Sequence, residues 1–289
     1  RVQHLPPPPP PPPPESGNNS SSWPSLAEGT APAEDLVAEA EAEVLRRWAG
    51  GAGSPVDNEP VAPGPCLGEE EDEGRGKETG ALDPPAVDFY AVLDFEATCE
   101  EGIKIKPQEI IEFPTVLVDA RTLKVVSEFQ TYVRPVHHPN LSAFCISLTG
   151  IQQEWVDQAP IFIEAFELHR QWMEVQGLLP YQEGKNTILF VTCGDWDLMQ
   201  MLPSQCRLTN TKIPSYLQEW VNIKDIFCQR WNLDKSMGMV GMLRKSGLRL
   251  EGRHHSGIDD CRNIARLLIQ LCKDGCYVTS TSRRRESKT

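Results

Sequence analysis

The stretch of sequence that decides the expected fold is residues 90–98, which reads YAVLDFEAT. Its apolar first half is typical of a buried strand, and the strand ends in two carboxylates, Asp94 and Glu96. Side chains two positions apart on a strand point to the same face. Two acids on one face repel each other and lose hydration, so they require a cation, protonation or solvent. A solvated strand end also meets that requirement, and the pair alone leaves both interpretations open.

Two groups of strands are predicted around this stretch. Residues 89–97, 109–118 and 125–133 are apolar segments joined by turns, which indicates an antiparallel meander. Residues 187–192 form a continuous apolar run, as expected of a central strand that is covered on both faces. A further short strand is predicted at residues 220–223.

In other parts of the chain the apolar residues recur at helical spacing. Helices are predicted at residues 142–148, 152–156, 160–176, 195–206, 239–246 and 256–273. The buried stripe of the last helix is predicted to be Ile264, Leu267, Leu268 and Leu271. The tryptophans expected in the core are Trp155, Trp172 and Trp220. Three antiparallel strands followed by alternating helices and strands predict an α/β fold with a mixed β-sheet flanked by helices.

Residues 1–86 differ in composition from the rest of the chain. They contain a proline run at 6–14 and 16 acidic against 5 basic residues, which is a net −11 of the −13 of the whole chain. Such a low-complexity segment is predicted to be disordered and to precede a folded domain at residues 87–280. The proline run is either an inert tail or a ligand for an SH3, WW or similar domain. The later part is near neutral, which permits nucleic-acid binding through a local basic patch.

The nine cysteines are scattered and form no C-x-x-C pair, so reduced thiols in the cytosol or nucleus are expected. No apolar run approaches the length of a membrane span. The sequence begins with Arg1, so a missing upstream piece with an organelle-targeting signal stays open. Residues 281–289 are a basic tail that is predicted to contact RNA phosphate, to act as a nuclear-localisation patch or to be an unstructured end.

Acidic residues also follow the central strand and open the last helix. Asp195 and Asp197 come after the predicted central strand, where open α/β sheets carry their sites. His255 precedes Asp259 and Asp260 at the start of the last predicted helix. An acid in the first turn of a helix interacts favourably with the helix dipole, which explains one of these two acids but not the neighbouring histidine.

Four of these acids are predicted to converge on one cleft: Asp94, Glu96, one of the 195/197 pair and one of the 259/260 pair. Hard oxygen ligands without thiolates select Mg²⁺ or Mn²⁺. Four carboxylates suit two ions ~3.5–4 Å apart, the arrangement that serves phosphoryl transfer. A neutral imidazole at His255 is a suitable general base. Glu109 and Glu112 face opposite sides of their strand, so at least one is predicted to be a structural hydrogen-bonding acid and neither a metal ligand.

Several segments resemble a known group of nucleases. Residues 94–98, the pair at 196–197 and His255-x4-Asp260 resemble the three exonuclease motifs of the DEDD superfamily, histidine subtype. The segments PQEIIEFP at 107–114, FCISLTGI at 144–151 and GIDDCRNIA at 257–265 resemble the Eri-type (enhanced-RNAi) 3′–5′ exoribonucleases, the group that contains the histone-mRNA 3′ exonuclease. The resemblance covers residues 87–280. It implies an RNase H-like fold and an enzyme that releases nucleoside 5′-monophosphates from the 3′ end of RNA.

The resemblance also implies a role for individual residues. The implied metal ligands are Asp94, Glu96, Asp197 and Asp260. The implied catalytic residues are Glu96 and the general base His255. The implied substrate-binding residues are Ala97, Leu148, Thr149, Trp196 and His255. An aromatic ring beside the second-motif acid suits this role because any base can stack on it.

One departure from the family pattern lies next to the predicted base. Many relatives have Arg-Pro-His where this chain has Arg253, His254 and His255, so a role shared between the two histidines stays open. Two other functions also stay open. A single-stranded DNA exonuclease is possible because nothing in the motifs senses a 2′-hydroxyl. The other alternative is a catalytically silent RNA-binding adaptor of the same fold.

Overall fold

The computed structural model describes residues 87–179 and 187–284. The predicted low-complexity segment 1–86, with its proline run, lies outside the described residues, as do residues 285–289 of the predicted basic tail. The structure therefore bears on the predicted folded domain and on the first residues after it.

A seven-stranded mixed sheet forms the centre of the described part. Its strands are β1 (Phe89–Leu93), β2 (Glu96–Ala97), β3 (Ile110–Asp119), β4 (Lys124–Tyr132), β5 (Ile188–Thr192), β6 (Glu219–Asn222) and β7 (Ser282–Arg283). The strand order is β2-β3-β1-β5-β6-β7, with β4 paired to β3. Strands β1, β5 and β6 run parallel, whereas β3, β4 and β7 pair antiparallel with their neighbours. The predicted meander and the predicted central strand are both confirmed.

The first predicted strand, residues 89–97, is interrupted where the two acids begin. Strand β1 ends at Leu93, and β2 resumes at Glu96 with an irregular register against β3. The reason is a side chain from elsewhere in the chain: the Phe95 N–H donates to Asp197 Oδ1 at 2.8 Å and so takes no part in a strand ladder. The prediction of one continuous strand was wrong at this point, and the break lies at the predicted site.

Seven α-helices flank the sheet in the described ranges: α1 (Ala143–Thr149), α2 (Gln153–Asp157), α3 (Phe162–Val175), α4 (Leu202–Leu208), α5 (Ile223–Trp231), α6 (Met239–Lys245) and α7 (Gly257–Lys273). The helix predicted at residues 195–206 is wrong in type over its first half. A π-helix occupies Trp196–Met201 and runs directly into α4. Periodicity cannot reveal this difference, because both helices bury one face of similar apolar residues.

Apolar layers cover both faces of the sheet. Helices α5, α6 and α7 contribute to one layer, and α3, the π-helix and α4 to the other. The predicted stripe of α7 is buried, and so is Trp220. Trp172 is half-buried. Trp155, on the short helix α2, was wrongly predicted as core. It is 36% exposed, and its ring stacks on that of Tyr132 with centroids 5.2 Å apart.

The sheet continues beyond residue 280, the predicted end of the folded domain. Strand β7 pairs with β6, and the Arg284 N–H donates to Gln218 O at 2.8 Å. The first residues of the predicted basic tail therefore belong to the fold. In the ranges that the structure describes, no helix is long and apolar enough to cross a membrane.

Candidate active site

Three of the predicted acids meet at the break between β1 and β2. Asp94, Glu96 and Asp260 each offer a carboxylate oxygen, and these oxygens lie within 4.8 Å of one another. Asp94 and Asp260 are 166 positions apart in sequence, so only the packing of α7 against β1 and β3 brings them together. The group is a largely buried set of hard oxygen ligands.

Asp197 is connected to this group by a hydrogen bond to the backbone of Phe95, which lies between Asp94 and Glu96. It lies in the first turn of the π-helix, and its Oδ1 atom accepts the Phe95 N–H at 2.8 Å. Asp195 turns away and accepts hydrogen bonds from Trp220 Nε1 at 2.9 Å and Ser282 Oγ at 2.7 Å. The geometry therefore brings Asp197, and not Asp195, to the cluster, whereas Asp195 ties the end of β5 to β6 and β7.

Asp260 and Asp259 also have different surroundings. Asp260 is buried in the first turn of α7, where the His255 N–H donates to its Oδ2 at 2.9 Å. Asp259 Oδ2 accepts the Arg253 N–H at 2.9 Å, and its other oxygen pairs with Arg262 at 3.1 Å near the surface. The structure therefore places Asp260 at the cluster and Asp259 in the support of the preceding loop.

Glu112 holds the start of α7 against the sheet. Its carboxylate is buried and accepts the Gly257 and Ile258 N–H groups at 3.0 and 3.2 Å. These are amides of the first helical turn, which have no partner within the helix. Glu109 accepts the N–H groups of residues 136–138 at 2.7–2.8 Å. The prediction that at least one of Glu109 and Glu112 is a structural hydrogen-bonding acid agrees with this geometry, in which both accept backbone N–H groups.

Burial controls the protonation of the cluster. Loss of hydration is the main reason why the pKa values of Asp94 and Glu96 are raised well above their usual range, and the neighbouring carboxylates raise them further. Burial also raises the pKa of Asp197 to about 7, although the hydrogen bond from Phe95 opposes the shift. Ionisation of all these groups near neutral pH therefore requires compensating positive charge.

Two histidines lie at the other side of Asp260. His254 Nδ1 is 3.1 Å from Asp260 Oδ2, and the His254 and His255 rings stack with centroids 4.0 Å apart. Atoms of both rings lie within 4.8 Å of an Asp260 oxygen. The backbone of His255 is left-handed, with φ 63°, which is uncommon for a residue other than glycine. The stacked pair of histidine rings therefore includes a residue with an unusual backbone conformation. Because both imidazoles reach the same acid, the alternative of a shared role retains a structural basis.

Arg253 connects this loop to the end of α1. Its guanidinium donates to the carbonyl oxygens of Ser147 and Leu148, and it occupies the space where a Cβ of Gly150 would lie. Sequence reasoning missed this contact, because the partners are more than 100 residues apart and the arginine carries no pattern of its own. Arg253 therefore fixes the histidine loop relative to the segment that was predicted to bind substrate.

The predicted substrate-binding residues differ in their exposure. Ala97 follows Glu96 in β2 and is buried, whereas Leu148 and Trp196 are half-buried. Thr149 is buried, and its hydroxyl donates to Cys145 O at 2.8 Å. That hydroxyl is therefore bonded within α1, and contact of these residues with a substrate stays a prediction.

Comparison with known proteins agrees with this architecture. The profile of the Exonuclease family, RNase_T, matches residues 91–268. ERI1 exoribonuclease 3 of Homo sapiens is 41% identical over 200 residues, which are 69% of this chain and 58% of that protein. 3′-5′ exoribonuclease 1 of Rattus norvegicus is 40% identical over 202 residues, which are 69% of this chain and 57% of that protein. The chain thus spans less than two thirds of the length of these relatives.

Solved structures extend the likeness to the fold. The nuclease domain of 3′hExo, a DEDDh family member bound to rAMP, superposes with a TM-score of 0.64 at 37% identity, covering 69% of this chain and 98% of that domain. A 3′-exonuclease that recognises the histone mRNA stem-loop superposes with a TM-score of 0.66 at 34% identity, covering 72% and 71% of the two chains. The predicted RNase H-like fold is confirmed by these superpositions.

The mixed sheet and the acids at its broken first strand place the chain in the RNase H-like fold class. Within that class, the chain belongs to the RNase_T exonuclease family, with DEDDh exoribonucleases of the Eri type as its relatives.

Proposed function

We propose that this protein is a 3′–5′ exoribonuclease that hydrolyses RNA from its 3′ end and releases nucleoside 5′-monophosphates. The observation that carries the proposal is the convergence of Asp94, Glu96 and Asp260 within 4.8 Å, with Asp197 held beside them by Phe95. Membership of a family whose relatives include ERI1 exoribonuclease 3 supports the choice of RNA.

The donor set fits divalent cations. The cluster consists of carboxylates, the pKa values of Glu96 and Asp197 among them are raised, and hard oxygen ligands of this kind prefer Mg²⁺, with Mn²⁺ able to substitute. The residues proposed to hold two such ions are Asp94, Glu96, Asp197 and Asp260. When bound, the ions would lower the pKa of the attacking water and stabilise the leaving oxygen of the phosphodiester.

The histidine loop supplies the proposed proton acceptor. His255 lies beside Asp260, and its imidazole accepts a proton from the attacking water as that water approaches the last phosphodiester. The backbone N–H of His255 is bonded to Asp260, and Arg253 anchors the loop to α1. These contacts orient the imidazole, which is the requirement for efficient general-base catalysis.

The terminal nucleotide is proposed to bind between the acids and four residues that adjoin them or the end of α1. Ala97 follows Glu96, Trp196 precedes Asp197, and Leu148 and Thr149 close the end of α1 that Arg253 contacts. Stacking of a base on Trp196 is tolerant of sequence, so the substrate would be recognised mainly by its 3′ end. This arrangement favours single-stranded or partly structured RNA.

A time course on end-labelled RNA and DNA of matched sequence tests the proposal. We expect shortening of RNA from the 3′ end with Mg²⁺ or Mn²⁺ and none in EDTA. Asp94→Asn should lower the rate by at least about 100-fold, the scale of losing one catalytic group. Asp234→Asn makes the same change at an exposed loop position and should retain the wild-type rate.

Each alternative function corresponds to a distinct result of that experiment. Faster shortening of DNA than of RNA would establish the DNA exonuclease. Binding of RNA without shortening with either metal would establish the silent adaptor. Equal rates for Asp94→Asn and the wild type would contradict the proposed mechanism even if RNA were degraded.

A further inference from the structure

A cavity of about 510 Å³ lies beside the proposed active site. One wall is the loop at residues 104–108, and the other is formed by the π-helix and α4. Trp196 lines the cavity and is the residue directly before Asp197. The volume falls within the range of about 300–1,000 Å³ that is usual for ligand pockets.

The charge of this cavity is opposite to that of the chain. Lys104, Lys106 and Arg207 line it, and none of the lining residues, all of which lie in the described ranges, is acidic. Within those same ranges, the two lysines form no ion pair, and Arg207 donates a hydrogen bond to Ser204 Oγ at 3.0 Å. Three exposed cations beside a cluster of carboxylates do not stabilise the fold through pairing.

The lining also includes apolar surface between the cations. Ile105, Met201 and Leu208 lie alongside Trp196 in the same cavity. Cations near apolar and aromatic side chains match a single nucleic-acid strand, whose phosphates are anionic and whose bases have flat apolar faces. A free small anion would use the cations but would gain nothing from the apolar residues.

The cavity is held at a fixed position relative to the acids. Gln108 Nε2 donates to Thr98 O at 3.0 Å, which ties the loop to the residues that follow Glu96 and Ala97. Gln205 of α4 accepts the Ile110 N–H at 2.9 Å, which ties the opposite wall to β3. A strand whose 3′ end lies at the acids therefore has this cavity as a neighbouring binding surface.

We propose that this cavity binds the nucleotides on the 5′ side of the terminal one, with Lys104, Lys106 and Arg207 contacting their phosphates. The inference rests on the proposed function, because it takes the 3′ end of the RNA to lie at the acids. It assigns to the loop at 104–108 a role in holding the strand between successive cleavages.

Equilibrium binding of 5′-fluorescein-labelled U8 RNA to the full 289-residue chain, in EDTA and from 25 to 200 mM KCl, tests this inference. Each phosphate contact to a single strand contributes about 0.7 to the slope of log affinity against log salt. Lys104→Gln with Lys106→Gln should therefore weaken binding at low salt and reduce the slope by about 1.4. The loss should be smaller for labelled U2, which has fewer phosphates to contact.

The matched control is Lys235→Gln with Lys245→Gln, which removes two exposed lysines from the α5–α6 side of the sheet. The control should keep the wild-type affinity and slope. If the two double variants have the same affinity and slope for U8, the inference is overturned. Because the measurement requires no hydrolysis, a failure of the proposed activity and a failure of this binding surface give different results.

Discussion

His169 lies fully buried in α3, and its ring stacks on Phe113 with centroids 4.5 Å apart. Its Nε2 atom is 3.1 Å from Thr115 Oγ1. The Thr115 hydroxyl donates to Pro114 O at 2.8 Å, so the imidazole nitrogen is the donor in the contact between the two side chains. His169 Nδ1 then has no hydrogen-bond partner among the described residues, and a second proton there would be a buried, unpaired charge.

This arrangement links stability to pH through one residue. Burial lowers the pKa of His169 to about 3, against an ordinary value near 6.5 in the unfolded chain. The unfolded state therefore binds an extra proton between these pH values, and the free energy of unfolding should fall by up to about 1.4 kcal/mol per pH unit as pH decreases below 6.5. Urea unfolding of the wild type and His169→Gln at pH 7, 6 and 5 would show a smaller decrease for the variant.

The exposed His137 provides the control for this measurement. His137→Gln should retain the pH dependence of the wild type. An unchanged pH dependence in His169→Gln would mean that other groups account for the decrease and that the buried imidazole does not.

At the scale of elements, the site depends on how closely α7 approaches β1 and β3. A Cβ atom at Gly257 would lie 2.8 Å from Asp94 O and 3.0 Å from Pro114 Cγ. The nearest of these atoms is backbone and cannot rotate away. Glycine therefore allows the start of the helix to approach the strand that carries Asp94, and Asp260 follows in the same helical turn.

We expect Gly257→Ala to destabilise the protein. Alanine favours a helix over glycine by about 1 kcal/mol, but overpacking against fixed atoms costs about 1–3 kcal/mol. A shift of Asp260 of about 1 Å should also lower the rate of hydrolysis by about 100-fold. Urea unfolding and single-turnover hydrolysis would measure the two effects.

Gly241 in α6 is the matched control, because a Cβ there would approach the flexible Met237 side chain, at 3.3 Å from its Sδ atom. Gly241→Ala should be neutral or stabilising by up to about 1 kcal/mol and should keep full activity. Wild-type stability and activity in Gly257→Ala would contradict the assignment of a close approach to this glycine.

At the scale of the whole molecule, metal binding and folding stability are linked through the acids. Their raised pKa values mean that the metal-free folded state holds protons more tightly than the unfolded chain does. This contribution to stability is fully present below about pH 4, and it is lost as pH rises through the folded pKa, which is about 7 for Asp197. The pH dependence of this contribution to stability is opposite in sign to that of His169.

Mg²⁺ should therefore stabilise the protein more at pH 8 than at pH 5.5, where it must displace protons from the acids. At 100 times the Kd, the gain at pH 8 is about 2.7 kcal/mol. Thermal unfolding with Mg²⁺ and with EDTA at both pH values would measure the difference in Tm. In Asp94→Asn the effect of Mg²⁺ should be strongly reduced, and an equal gain in Tm at both pH values in the wild type would count against a carboxylate site.

Most strands and helices of the folded domain were predictable, because most of them bury a face whose apolar residues recur with a regular period in the sequence. The last helix, predicted at residues 256–273, shows this well. The exceptions include helix α5 at Ile223–Trp231, which was not predicted, the break at Phe95, the π-helix at Trp196–Met201 and the exposed Trp155. The break at Phe95 depends on a contact with the distant Asp197, which local periodicity does not encode.

The sequence by itself determined the α/β class, the mixed sheet and the motifs that identify the candidate acids and histidines. The tertiary structure added that Asp195 bonds to Trp220 and Asp259 to Arg253, partners whose positions are fixed by packing. It also decided that both histidines approach Asp260 and that Lys104, Lys106 and Arg207 share one cavity. Side chains from separate segments acquire a common position only when the sheet and helices pack together, so their proximity is a property of the fold.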